Sequence, residues 1–178
     1  MKPRSFQLPG VLVAFVLLAL AANAQLVSFD PPLSKDWSKV SEGPSPGPLG
    51  SAGQFEAFLN RTQKLALVVL VADVSSKGAT NPAPDLKMMA DAWKDGALAA
   101  LRVAGLEPTN ITFGIVGTNG SAEAELSFAV RHHDTDYYRY NRCRIAGGKF
   151  IGLSTVGEGV PVKDNPEIKR VLGNVVVK

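Results

Sequence analysis

Cysteine and histidine are scarce in this chain of 178 residues, which contains one cysteine, Cys143, and two histidines. A single thiol cannot form an internal disulfide, so no disulfide framework holds the fold together. The absence of a C-x-x-C pair or a cysteine–histidine cluster argues against a structural zinc site. We therefore interpret Cys143 as a small, buried apolar side chain, with an intermolecular disulfide or a reactive thiol as the alternative.

Nucleotide-binding patterns are also missing, because the chain has neither a P-loop nor a G-x-G-x-x-G fingerprint. We therefore expect no cofactor. Catalytic triads assemble from distant parts of a chain, so a missing motif lowers the expectation of hydrolysis without excluding it. The sequence favours a protein without enzymatic activity, and an exported hydrolase stays open as the alternative.

Neither sign of charge is in large excess, since 19 Lys and Arg stand against 16 Asp and Glu. The first 24 residues hold two of the cations, Lys2 and Arg4, and no acid, which leaves residues 25–178 with a net charge of +1. Proteins that bind nucleic acid carry a clustered basic footprint. The near-neutral balance therefore argues against nucleic acid as a partner.

The first 24 residues have the three-part layout of a secretory signal peptide. Lys2 and Arg4 precede an apolar run at residues 11–22, and Ala22-Asn23-Ala24 supplies the small residues that flank a cleavage bond. The run is shorter than the roughly 20 residues that span a bilayer. Residue 25 is Gln, not the acylated Cys of a lipoprotein. We predict cleavage before Gln25, export to the periplasm or the extracellular space, and no stable membrane anchor afterwards.

Two parts follow the predicted signal peptide. Residues 25–50 are rich in Pro, Gly and Ser, and proline excludes a regular helix or a central strand because it fixes φ and lacks an N–H. We predict an N-terminal arm here, extended or partly disordered, which Trp37 pins to the domain. Residues 51–178 are predicted to form a single α+β domain.

The pattern within this domain predicts an antiparallel sheet and two helices. The continuous apolar run at 65–72 indicates a strand covered on both faces, in a hairpin with 54–59. Apolar residues at three- and four-residue steps after the N-cap Asp85 predict a long central helix to residue 104. Short turns predict a four-strand meander at 111–118, 122–131, 136–145 and 149–156. A short C-terminal helix after Asn165, whose apolar face continues to Val175, completes an α-β-α sandwich.

This order of elements resembles that of the PsbP/DcrB-like exported proteins over about residues 51–178. The closest local likeness is Asn165-Pro166-Glu167-Ile168-Lys169-Arg170-Val171-Leu172, which follows the last strand of the meander. The resemblance implies an α-β-α sandwich and a role in photosystem assembly or envelope maintenance, mostly without catalysis. It implies no metal-binding or partner-binding residue in this chain.

Three neighbouring side chains, His132, His133 and Asp134, are weak candidates for metal ligands. Adjacent residues of a strand point to opposite faces, so both histidines bind one metal only if the chain turns there. A third ligand would have to come from elsewhere in the fold. We therefore predict a solvated hairpin turn and no metal site.

A second cluster combines tyrosine and arginine, and we call it the Tyr/Arg row: Tyr138, Tyr140, Arg142 and Arg144. Strand alternation places these four side chains on one face. Aromatic and arginine side chains are enriched where interfaces carry their energy, so the row is a candidate contact face. The alternative is a solvated strand whose long side chains lie over apolar surface.

The sequence thus predicts an exported, non-catalytic domain that binds an envelope or extracellular partner protein or assists an envelope assembly. The alternative is a secreted or periplasmic hydrolase or small-ligand-binding protein, with a cleft near His132 and His133 between the sheet and the long helix. Asn60, Asn110 and Asn119 stand in N-x-S/T sequons at predicted turns, which matter only if the source is eukaryotic.

Overall fold

The computed structural model describes residues 26–30, 32–74, 85–118, 122–173 and 175–177. The strands are β1 (Val27–Phe29), β2 (Trp37–Pro46), β3 (Ala52–Asn60), β4 (Leu65–Asp73), β5 (Pro108–Val116), β6 (Glu123–His132), β7 (Thr135–Ala146), β8 (Lys149–Glu158) and β9 (Val175–Val177), and the helices are α1 (Leu86–Val103) and α2 (Pro166–Gly173). The predicted signal peptide, the 75–84 loop and the Asn119-Gly120 turn lie outside the described residues.

Seven strands form one antiparallel sheet in the order β2-β3-β4-β8-β7-β6-β5. Strands β4 and β8 pair along their whole length, from Leu65 opposite Gly157 to Asp73 opposite Lys149, and so join the predicted hairpin to the predicted meander. Because β4 lies inside the sheet with both faces covered, it tolerates a continuous apolar run. The α+β class is confirmed.

Helix α1 begins and ends where its sequence signals predict. The Asp85 carboxylate accepts a hydrogen bond from the Met88 N–H at 2.7 Å, which satisfies one unpaired donor of the first turn. Gly105 follows the last turn at φ 71°, a conformation that glycine adopts at little cost. The helix packs on one face of the sheet, where Met89 and Phe150 are fully buried.

Helix α2 and the two-stranded ribbon β1–β9 cover the opposite face. The Asn165 Oδ1 accepts hydrogen bonds from the N–H groups of Glu167 and Ile168 at 2.9 and 3.2 Å. Ile168 is fully buried in the core cluster that includes Leu67 of β4 and Val27 of β1. With α1 on one face and α2 on the other, the predicted α-β-α sandwich is confirmed.

Strands β1 and β2 lie within the segment predicted as an arm, residues 25–50. Strand β2 forms an edge of the seven-stranded sheet, where proline is tolerated because only one side of the strand must donate to a ladder. Trp37 is buried and its Nε1 donates to Glu167 Oε1 at 2.7 Å, so the predicted pinning is confirmed. Val175, expected on the last helix, instead lies in β9 opposite Phe29. A three-residue strand is too short to show a period in the sequence.

Within the described ranges, none of the helices combines the length and the apolar character needed to cross a bilayer.

Candidate partner-binding surface

The Tyr/Arg row lies on the face of the sheet that α2 and the β1–β9 ribbon cover. Its cross-strand neighbours on β8 run from Gly157, opposite Tyr138, to Ile151, opposite Arg144. The neighbours on β6 include Glu125, opposite Arg142. The ladder therefore puts the row on one face, and the two ends of the row meet different surroundings.

The tyrosine end of the row belongs to the core. Tyr140 is only 7% exposed, and its hydroxyl donates to Glu125 Oε1 at 2.5 Å. Burial, and then the hydrogen bond to that carboxylate, raise the pKa of Tyr140 far above its usual range. Tyr138 packs against the same core cluster. Tyr140 therefore belongs to the core, and Tyr138 is half-buried against it, so this end of the row exposes less surface than the arginine end.

The arginine end of the row shares one carboxylate between two guanidinium groups. Arg142 forms an ion pair with Glu123 Oε2, and the Arg144 guanidinium lies 3.6 Å from Oε1 of the same side chain. Burial first, and then the like charge of Arg144, lower the pKa of Arg142. The Arg144 side chain is 45% exposed. Glu123 holds Arg142 closely and Arg144 at 3.6 Å, so the cation at the end of the row is both the more exposed and the more weakly paired of the two.

Arg144 opens into a groove of about 510 Å³ between the β7–β8 hairpin and β9. The groove is lined by Arg144, Ala146, Gly147, Lys149, Ile151 and Val175–Val177. Aliphatic side chains make up most of this surface, and Arg144 and Lys149 supply the charged groups. Binding sites are commonly apolar concavities of roughly 300–1,000 Å³ with a few polar groups that fix orientation.

An unpaired strand edge faces this groove. Strand β1 lies on the β3 side of the ribbon, because the Glu56 carboxylate accepts the N–H groups of Leu26 and Val27. Strand β9 lies on the β7–β8 side, where it lines the groove. Among the described strands, β9 pairs with β1 alone. The other edge of β9 therefore offers backbone donors and acceptors beside Arg144.

No local pattern in the sequence predicts that the β1–β9 ribbon lines this groove. The pattern predicts Val175 on the last helix, and β1 lies in the segment predicted as an arm. The pattern predicts a strand that includes Lys149 and Ile151. It does not predict that these residues line a groove with Val175–Val177, because the two segments are about 25 residues apart in the sequence. The adjacent glycines Gly147 and Gly148 do predict the two-residue turn between β7 and β8 at this groove. Both have positive φ, 58° and 73°, as such a turn requires.

The histidine pair lies at the opposite end of β7, in the predicted hairpin turn. The two imidazole rings are 4.2 Å apart between centroids, while His133 and Asp134 are exposed. Throughout the described ranges, no group of three or more His, Cys, Asp or Glu side chains is placed to hold a metal ion. The turn is roughly 35 Å along β7 from Arg144, at about 3.3 Å per residue, so the histidines are not part of the groove.

A serine motif and the cysteine supply no nucleophile with the required geometry. Residues 43–47 read G-P-S-P-G and so match G-x-S-x-G, but Ser45 lies within β2 opposite Gly53. A nucleophile elbow needs a strand-to-helix turn instead. Cys143 is 2% exposed, and burial raises the pKa of its thiol to about 12. The interpretation of Cys143 as a buried apolar side chain is confirmed, and a reactive thiol is contradicted.

The sequons also have different surroundings. Asn60 is 1% exposed, and its Oδ1 accepts the Gln63 N–H at 3.0 Å, so it serves a turn inside the fold. Asn110 is exposed on β5 at φ 53°. Asn119 lies outside the described residues. Of the two described sequons, only the one at Asn110 is accessible in the folded protein.

Comparison with known proteins finds a likeness in structure only. No protein-family model matches the chain, and no curated protein sequence matches it significantly. The solution structure of cyanobacterial PsbP (CyanoP) from Synechocystis sp. PCC 6803 matches with a TM-score of 0.55 over 91% of this chain and 99% of that chain. The chain has a PsbP-like fold. The predicted resemblance is confirmed for the fold, and at 13% identity it extends to the fold alone.

Proposed function

We propose that this chain is an exported, non-catalytic accessory protein that binds an acidic, extended segment of a partner protein in the groove beside Arg144. The observation that carries the proposal is the exposed charge of Arg144 at the mouth of an apolar groove. Apolar lining supplies contact area, and complementary charge selects the partner and orients it. The PsbP-like fold supports an accessory role, and the signal-peptide pattern supports export.

The open edge of β9 favours an extended partner segment over a helix. A strand edge binds a peptide through main-chain hydrogen bonds, and alternate side chains then supply specificity. Such a peptide would place every second side chain towards Ile151 and the sheet, where an aliphatic residue fits. An acidic residue near Arg144 would pair with its exposed guanidinium.

Charge reversal of Arg144 tests the site with a matched control. Arg144→Glu removes the exposed cation, and Arg131→Glu changes a 70% exposed arginine at the far end of the same face. Changing Arg142 as well would confound the test, because Arg142 is partly buried in its ion pair with Glu123. Both single variants should keep the wild-type melting temperature within a few degrees, because exposed charges contribute little to stability.

The binding probe is a labelled eight-residue peptide of alternating Glu and Val, with a Lys–Val peptide as its counterpart. We expect fluorescence polarisation to show salt-sensitive binding of the Glu–Val peptide by the wild type and by Arg131→Glu, at least tenfold weakened in Arg144→Glu. Equal binding by both variants, or equal binding of both peptides, would contradict the proposal. In pull-downs from the native compartment, the wild type and Arg131→Glu should recover the partner in similar amounts, and Arg144→Glu should recover much less of it.

A further inference from the structure

Arg139 is half-buried on the other face of β7, the face on which α1 packs. It sits between Phe128 on β6 and Val156 on β8 in the ladder. Its guanidinium lies over the Phe128 ring, with Cζ 5.9 Å from the ring centroid. In the part of the chain that the structure describes, no carboxylate forms an ion pair with it. Burial alone lowers the pKa of Arg139 to about 10, so the group is still charged at pH 7.

An unpaired arginine in such surroundings is costly. Moving a charge out of water is unfavourable, and a paired acid offsets part of that penalty. The side chains directly opposite on β6 and β8, Phe128 and Val156, are apolar. The carboxylate in the next cross-strand position of β8, Glu158, forms its ion pair with Lys64. Charged groups in perturbed surroundings cluster at functional sites, where a ligand can supply the missing counter-charge.

Asn141 provides an independent observation two residues further along β7. Its side chain is on the same face, opposite Leu126 and Ser154. It is 2% exposed, and its Nδ2 is buried without a hydrogen-bond partner. Buried amide donors are rarely left unpaired in folded proteins. Residues i and i+2 of a strand are about 7 Å apart, so the long Arg139 side chain and Asn141 can reach one ligand.

We propose that Arg139 and Asn141 bind the oxyanion group, a carboxylate or a phosphate, of a small molecule on the α1 face of the sheet. The guanidinium presents paired N–H donors that match two oxygens of such a group, and the amide adds a further donor. The Ser154 hydroxyl lies in the adjacent cross-strand position and completes the donor set. The site is separate from the groove beside Arg144, which lies on the opposite face.

The test uses inorganic phosphate and acetate as probes of the full exported chain, at pH 7 and constant ionic strength set with sodium chloride. Chloride cannot make the two-oxygen contact and serves as the background ion. We expect one probe to raise the melting temperature of the wild type in proportion to the logarithm of its concentration above Kd. Phosphate and acetate as separate arms distinguish the two oxyanion classes.

Three variants test whether the anion stabilises the protein by binding at Arg139. In Arg139→Gln the binding should weaken roughly 30-fold or more, as expected when one partner of a buried charge pair is removed. Arg139→Lys should retain part of it, and Arg102→Gln, an exposed arginine of α1, should behave as wild type. The Nε–Hε NMR signal of Arg139 should shift with the same concentration dependence. The proposal is overturned if neither anion acts on the wild type, or if Arg139→Gln responds as strongly as Arg102→Gln.

Discussion

Glu56 connects the β1–β9 ribbon to the seven-stranded sheet through hydrogen bonds, and its replacement should weaken this connection. The side chain is 1% exposed on β3. Its carboxylate accepts the N–H groups of Leu26 and Val27 at 3.1 and 3.3 Å and the Lys39 ammonium at 2.7 Å. Glu56→Gln keeps the size of the side chain, removes the charge, and turns an amide NH₂ towards groups that are themselves donors.

The expected cost follows from these three contacts. Breaking a buried ion pair by removing one partner costs about 3–5 kcal/mol. Lys39 is 36% exposed and can turn to water, so a loss of roughly 2–3 kcal/mol is the better figure. For a chain of this size that corresponds to a fall in melting temperature of roughly 5–10 °C. Hydrogen exchange at Val27 and at its partner Val177 should accelerate more than exchange in β4.

Glu42→Gln is the matched control for this experiment. Glu42 also forms an ion pair with Lys39, but its side chain is 35% exposed, so its loss should cost less than about 1 kcal/mol. Calorimetry or denaturant unfolding measures both variants. Equal stability of the two variants would refute the reasoning, because it would mean that the buried carboxylate contributes no more than an exposed one.

Three further predictions concern ionisation, reactivity and processing. The hydrogen bonds from the Arg170 guanidinium and then from Trp37 lower the pKa of Glu167 below its ordinary 4.5. The ionised Glu167 therefore stabilises the fold above pH 4.5, and this contribution is lost as the pH falls through the lowered pKa. The difference in stability between wild type and Glu167→Gln should accordingly shrink below about pH 4. The buried Cys143 thiol, with its raised pKa, should not react with a thiol reagent at pH 8 until the protein is unfolded, and fast native-state labelling would contradict this. N-terminal sequencing of the exported protein should begin at Gln25, and a retained leader would contradict the predicted cleavage.

Elements with local signals could be predicted from the sequence. Helix α1 has its capping Asp85 and an apolar stripe, and α2 has the Asn165 cap, so both begin where the pattern places them. The β7–β8 turn depends on two adjacent glycines at positive φ. Each signal acts within a few residues, where propensity and capping decide the conformation.

Features that depend on distant pairing could not be predicted. The β4–β8 ladder and the β1–β9 ribbon join segments that no local pattern connects. The alternation of β7 placed Tyr140 and Arg144 on one face correctly, but only the cover formed by α2 and the ribbon determines that Tyr140 is buried and Arg144 exposed. The isolation of Arg139 is likewise a property of its assembled neighbours, because an unpaired charge is recognised only when every adjacent strand is in place.

Site-specific photo-crosslinking in the native compartment tests the partner-binding groove most directly. A photoreactive residue at Val176, which is 48% exposed and lines the groove, is compared with one at Val103, which is 91% exposed at the end of α1 on the opposite face. We expect a crosslink from position 176 to an acidic segment of one partner, absent at position 103 and lost when Arg144→Glu is added. Crosslinks of equal yield at both positions, or a crosslink at 176 that persists with Arg144→Glu, would contradict the assignment of this groove as the binding surface.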